Sequence, residues 1–214
     1  MHKIIIRSVL TILVLLCIWA IGSQFAIHNV EQLPYTLIEQ KEGYEIRQYP
    51  AHILAQTSIK YDDANSANNQ WFQIIAWYIF GWNKRKQSIA MTTPVITASS
   101  AKSSENIAMT TPVITSTDDK MMTMSFVLPA RYTLDTIPTP DDNRVKLVEV
   151  PSYQVAVHQF SRYANDAKIA RLTQQLQTSL KRDGLASTWS VQLMRYNPPF
   201  TIPFMRRNEV VITL

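Results

Sequence analysis

The chain has 214 residues, room for one domain or two small ones. Its 46% hydrophobic and 10% aromatic content excludes a disordered chain. The formal charge of +5 is mild and the densest basic run, Lys84-Arg85-Lys86, is short, so no nucleic-acid partner is expected.

Lys3 and Arg7 precede residues 9–22, a run without charge in which Thr11 is the one polar side chain. That length suits a signal-peptide core, with small Ala20 and Gly22 ahead of a cut before Ser23. Continued through Phe25, Ala26 and Ile27, the same run makes an uncleaved anchor. Both readings stay open, and both carry the remainder out of the cytoplasm, because the positive flank stays inside. Residues 1–22 are thus expected to be a signal peptide or membrane anchor, 23–34 a tether, and 35–214 the folded, periplasmic or otherwise extracytoplasmic domain. Membrane association is expected through the N-terminal segment. The one cysteine, Cys17, lies there, which leaves the domain without a disulfide, a thiolate nucleophile or a thiolate metal ligand.

From Tyr35, the segments TLIEQ and YEIRQY read as a hairpin about a KEG turn, followed by a strand HILAQTSI. Alternation puts Tyr44, Ile46 and Gln48 on one face and Glu45, Arg47 and Tyr49 on the other. Asp62 or Asp63 can cap a helix running to about Phe80, before Gly81. Its second half, WFQIIAWYIF, is apolar nearly all round. One stripe holds Trp71, Ile74, Ile75 and Tyr78, and another holds Phe72, Ala76, Ile79 and Phe80. A surface helix needs one such stripe. The second is either buried as well or faces a ligand, a membrane or a partner.

Next comes an exact duplication: IAMTTPVIT at 89–97 recurs at 107–115. It is too short for a solenoid and reads as two copies of one strand-like segment. Pro94 and Pro112 cannot donate to a ladder, so both copies are expected on sheet edges or at bulges. MMTMSFVLP is the next strand, and VKLVEV and YQVAVHQFS form a further strand pair around Pro151-Ser152. Asn165 caps a second helix, from 167 to about 182, that ends at Gly184. Ile169, Leu172, Leu176 and Leu180 form its single apolar stripe. Strands over 189–196 and 209–214 close the chain. Two similar halves, each a helix on antiparallel strands, make an α+β domain.

No GxGxxG, P-loop, GxSxG or HExxH occurs, and glycine appears only four times. His52 and His158, the two histidines of the domain, read as strand residues rather than ligands. Asp118-Asp119 and Asp141-Asp142 read as turns. No nucleophile or metal set is recognisable, so enzyme activity is not expected. Among eight methionines, Met91, Met109, Met121, Met122 and Met124 gather near the duplication, where core filling is the reading preferred over iron ligation.

YEIRQYP (44–50), YIFGWN (78–83), both copies of IAMTTPV, MSFVLP (124–129) and RYNPPFTIPFMRRNEV (195–210) together resemble the SOUL haem-binding protein family, from about Tyr35 to Leu214. The doubled motif is similar to bacterial members. The resemblance implies a distorted antiparallel β-barrel of two pseudo-symmetric halves flanked by helices, similar to effector-binding domains of multidrug regulators. It also implies non-enzymatic binding of haem or another tetrapyrrole in a shallow apolar cleft beside the first helix. On that basis Phe72, Ala76 and Ile79 are the expected floor, with Trp71 and Ile75 as alternates. Gln48 stands where some members carry a proposed axial histidine, so no axial ligand is expected there and binding should be weak and mostly hydrophobic. Lys84, Arg85 or Lys86 would have to meet the propionates, since no basic residue lies between Lys60 and Lys84. Arg206, Arg207 and Glu209 match the family's ending and read as structural, an Arg–Glu arrangement that locks the last strand. Two alternatives remain: a module for other hydrophobic small molecules, or a protein that docks on a membrane or partner. The oligomeric state is not legible.

Overall fold

A computed structural model describes residues 5–11, 14, 19, 22, 30–60, 64–100, 121–187 and 191–214. The strands are β1 (Glu31–Gln32), β2 (Thr36–Lys41), β3 (Tyr44–Tyr49), β4 (His52–Lys60), β5 (Thr92–Thr93), β6 (Val95–Ser100), β7 (Met121–Val127), β8 (Lys146–Val150), β9 (Tyr153–Phe160), β10 (Val191–Arg195) and β11 (Asn208–Thr213). Two helices, α1 (Ala64–Ile79) and α2 (Asp166–Arg182), separate the strand groups.

Nine strands form one antiparallel sheet in the order β2-β3-β9-β11-β10-β6-β7-β4-β8, curled into a half-barrel. Setting β3, β4, α1, β6 and β7 against β8, β9, α2, β10 and β11 turns this order, read without β2, into its own reverse. A pseudo-two-fold axis therefore passes between β6 and β10, where Met194 faces Ile96. This is the α+β arrangement of two similar halves expected from the sequence. The short β1 and β5 pair separately and in parallel.

The curl creates two kinds of core. Leu54, Ile96, Val155, Val157, Met194 and Val211 point into the half-barrel and fill it. On the outer face, α1 covers Ile53, Ala55, Met124 and Phe126, while α2 covers Tyr44, Ile46, Ala156, Val210 and Ile212. β3 is therefore buried on both faces, and its alternation separates two cores rather than core from solvent.

Two expectations need correction. β8 and β9 do not pair with each other: β8 joins β4, and β9 lies between β3 and β11. Pro151 lies where the chain crosses the sheet from β8, beside β4, to β9, beside β3, as Pro50 does between β3 and β4. Pro94 is not on an edge strand, because β6 is central. It sits where the chain leaves β5 for β6, so no ladder hydrogen bond is required of it. The second copy of the duplication, 107–115, with Met109 and Pro112, lies outside the described residues, as do Asp62 and Asp63.

Among the described residues no helix is long and apolar enough to cross a membrane. The segment 1–22 is described only at 5–11, 14, 19 and 22, all helical.

Candidate functional site

Both helices end in the same way. Gly184 takes φ +69, Leu185 N–H donates to Leu180 O and Gly184 N–H donates to Lys181 O, which is a Schellman cap. In α1, Gly81 takes φ +109, Trp82 N–H donates to Trp77 O and Gly81 N–H donates to Tyr78 O. This cap usually brings a hydrophobic contact between the residues its longer bond joins. In α2 that pair is Leu180 with Leu185, set into the outer core. In α1 it is Trp77 with Trp82, stacked at 5.2 Å and 20°, and both rings face solvent. One half hides an aliphatic pair where the other displays an aromatic slab.

The helical projection of α1 explains the display. At about 100° per residue, Ile74, Ile75, Tyr78 and Ile79 fall on one arc, and all four are buried against β4 and β7. Phe72, Gln73, Trp77 and Phe80 fall on the opposite arc, and all four are exposed. The exposed fractions are 47% for Phe72, 45% for Trp77, 63% for Phe80 and 64% for Trp82. Phe72 is anchored at its inner edge, its ring 6.2 Å from buried Phe126. Ala76, at 8% exposure, is the small residue between Phe72 and Phe80 on that arc.

Of the expected floor, then, Phe72 and Ala76 lie on the outer arc, whereas Ile79 and Ile75 belong to the core. The side chain of Trp71 lies outside the described residues. Sequence reading missed Trp77 and Trp82. The available signal was Gln73, the lone polar residue of WFQIIAWYIF, which marks the solvent direction and has Phe72, Trp77 and Phe80 at its sides.

The turn after α1 is organised by Asn83, whose side chain is fully buried. Its Nδ2 donates to Tyr78 O and Gln87 O, and its Oδ1 accepts from Arg85 N and Gln87 N. Tyr78 Oη donates to Pro138 O at 2.8 Å, and burial raises its pKa. The motif YIFGWN is thus a capping and turn device. It fixes the basic run, with Lys84 paired to Asp141 at 3.0 Å, Arg85 donating to Thr136 O, and Lys86 exposed at φ +54.

A second polar feature lies inside the half-barrel. Arg47 Nη1 donates to Glu209 Oε1 at 2.9 Å, Arg207 Nε donates to the same oxygen at 2.9 Å, and Tyr196 Oη donates to Oε2 at 2.8 Å. Arg47 Nε also donates to Glu45 at 2.6 Å, and Tyr35 stacks on its guanidinium at 4.1 Å. Burial opposes the charge of Arg47, but Glu209 and Glu45 outweigh it and raise its pKa. Burial, then Glu209, raises the pKa of Tyr196. The Arg–Glu lock on the last strand is present through Arg207 and Glu209. Its innermost member, Arg47, was not anticipated, and Arg206 instead donates to Thr201 O and stacks on Tyr163.

His52 Nδ1 donates to Pro50 O at 2.8 Å, and burial lowers its pKa. His158 Nδ1 donates to Gly43 O at 2.6 Å. Among the described residues no three His, Cys, Asp or Glu side chains gather as metal ligands. A cavity of about 420 Å³ is lined by Leu33, His52, Val127, Tyr132 and Glu149, and a groove of about 610 Å³ by His158, Arg171, Gln175 and Leu176. Neither touches the exposed arc of α1.

The model of the SOUL heme-binding protein family matches residues 30–106 and 99–213. The chain belongs to the SOUL family. Heme-binding protein 1 of Xenopus laevis is 24% identical over 173 residues, covering 80% of this chain and 84% of that protein. The protein of the same name from Xenopus tropicalis matches equally. Among solved structures, the C-terminal domain of EcmrR has a TM-score of 0.58 at 9% identity, covering 84% of this chain and 96% of that one. A hydrolase from Listeria innocua has a TM-score of 0.53 at 11% identity, covering 83% and 94%. At such identities the SOUL chain shares their fold alone.

Proposed function

We propose that this SOUL protein binds haem or a related tetrapyrrole non-enzymatically, and that the ring rests on the outer arc of α1. The observation that carries the reading is the exposed set Phe72, Trp77, Phe80 and Trp82 with Ala76 between. A porphyrin face is flat, wide and apolar, and aromatic side chains suit it by stacking. Arg85 and Lys86, at the end of the same helix, supply positive charge for propionates, although exposed charges contribute little individually. The residues fit the faces of the ring. They offer no imidazole or thiolate to iron on this arc, so binding is hydrophobic and modest. The π system of the ring itself supplies the Soret band by which binding is read, and iron, when present, would only alter its position.

A second reading, a module for other hydrophobic small molecules, draws on the fold shared with a regulator domain. One feature limits its scope. The buried carboxylate inside the half-barrel, Glu209, is already held by Arg47 and Arg207, so it is not free for a cationic ligand. Residues 1–22 are proposed to export the domain, as signal peptide or anchor. A thermal-shift comparison on residues 30–214 separates the readings. Stabilisation by haemin and protoporphyrin, and not by lipids or cationic amphiphiles, supports the first; the reverse pattern supports the second.

A further inference from the structure

The stretch NPPFTIPFM forms a braced loop between β10 and β11 that tetrapyrrole binding on α1 does not use. Pro198, Pro199 and Pro203 each fix their own φ. Thr201 and Ile202 are buried and root the loop in the domain. Thr201 N–H donates to Pro198 O at 3.1 Å, Met205 N–H donates to Ile202 O at 2.9 Å, and the Arg206 guanidinium donates to both Thr201 O and Pro199 O. The chain that follows β9 is tied to the same loop. Arg162 N–H donates to Pro203 O at 2.8 Å, Asn208 Nδ2 donates to Arg162 O at 3.0 Å, and Arg206 lies over the Tyr163 ring at 4.9 Å.

This bracing holds aromatic rings out rather than in. Tyr163, Phe200 and Phe204 are each more than half exposed. A single exposed apolar side chain is ordinary, whereas three rings on two loops tied together make a patch that marks an interaction surface. We infer that this patch seats the domain on an anionic lipid surface, an inference that rests on reading residues 1–22 as an anchor. Trp19 decides the occupant. It belongs to the uncharged run 9–22, and its Nε1 donates to Phe200 O at 2.9 Å. Ile5, Ile6, Val9, Leu10 and Val14 of the same N-terminal segment are exposed apolar side chains. The greasiest segment of the chain therefore meets the domain at the aromatic loop. The charges agree with a lipid surface. Exposed Arg162, together with Arg206 and Lys168, stands around the rings, Lys168 by way of its bond to Ser161 O at 2.8 Å, and Asp166 is the one acidic residue between 161 and 168. Basic side chains suit anionic headgroups, and aromatic rings suit the zone between headgroups and acyl chains.

The test uses the full chain with Cys17→Ser and one new cysteine, Tyr163→Cys, Phe204→Cys, Trp77→Cys or Gln174→Cys, labelled with an environment-sensitive fluorophore. Each chain, once thermal unfolding has shown that it folds, is placed on vesicles of phosphatidylcholine and phosphatidylglycerol with plain or acyl-brominated chains. Labels at 163 and 204 are expected to be quenched by the brominated lipid. Labels at 77, on the outer arc of α1, and at 174, on the exposed side of α2, are expected to stay bright. With Phe200→Ser and Phe204→Ser added, the label at 163 is expected to lose most of its quenching, while the exposure of both rings leaves folding intact. Alkali extraction reads the anchor separately: a chain that is washed off, yet was quenched at 204 before washing, keeps the lipid seat and removes the anchor. Unquenched labels at 163 and 204, as a protein partner's site would give, overturn the inference. So does quenching equally strong at 77 or 174, or a label at 163 indifferent to the paired serine change.

Discussion

Replacing Glu209 by Gln keeps the shape of the side chain and removes its charge. The consequence can be worked from its neighbours. Glu209 is wholly buried and Arg47 is 1% exposed, so the Arg47 guanidinium would keep only Glu45, whose side chain is 29% exposed. Arg207 is 27% exposed and can turn toward water. An uncompensated buried charge typically costs about 3–5 kcal/mol. Against a total stability of about 5–15 kcal/mol, that is a large share. For a domain of this size it corresponds to a fall of roughly 6–20 °C in unfolding temperature. The assay is urea unfolding of Glu209→Gln, Arg47→Met and the double variant. The double variant should lose less than the sum of the singles by about 2 kcal/mol or more, because Arg47 is no longer left alone. A cost for Glu209→Gln below about 1 kcal/mol, or strict additivity, would refute the idea that this pair is a buried, mutually dependent unit.

Other expectations follow from the same structure. Burial depresses the pKa of His52 below 6.5, so its contribution to stability is present above that value and is lost as pH falls through the folded pKa; His52→Phe should flatten the fall in stability below about pH 6.5 in unfolding measurements. Asn165 Oδ1 accepts from Lys168 N at 2.9 Å at the start of α2, and Asn165→Ala should cost about 1 kcal/mol with the fold retained, read by the urea midpoint. Gly81→Ala should lower the unfolding temperature although its Cβ would meet nothing nearer than 3.6 Å, because φ of +109° strains any side chain; an unchanged temperature would contradict the capping role.

What could be read from the sequence was mostly local. Asn165, Gly184 and the single stripe of α2 state that helix outright, and Gly81 marks the end of α1. The two stripes of α1 were also visible, but a stripe does not say which side faces the sheet. Ile75 and Ile79 were assigned to different stripes, although they are four residues apart, and both are buried in the core with Phe126 and Ala55. Trp82 lies past the helix and reaches the face only through the cap that folds it back on Trp77. Arg47 shows a different limit. Its alternation with Glu45 and Tyr49 looks like a solvent face until Glu209, 162 positions away, is brought beside it. Strand order was illegible for the same reason, since VKLVEV and YQVAVHQF look like partners, whereas the first pairs with β4 and the second with β3 and β11.

The most direct measurement is a haemin titration of residues 30–214 followed at the Soret band, with Trp77→Ala and Phe72→Asp compared against the parent. Both side chains are half exposed, so neither change should move the unfolding temperature by more than a few degrees. The account predicts a saturable shift for the parent and an affinity lower by about tenfold or more, about 1.4 kcal/mol, in each variant. Saturable binding that is equally tight in all three proteins, or no saturable shift in the parent, would contradict a tetrapyrrole seat on the outer arc of α1.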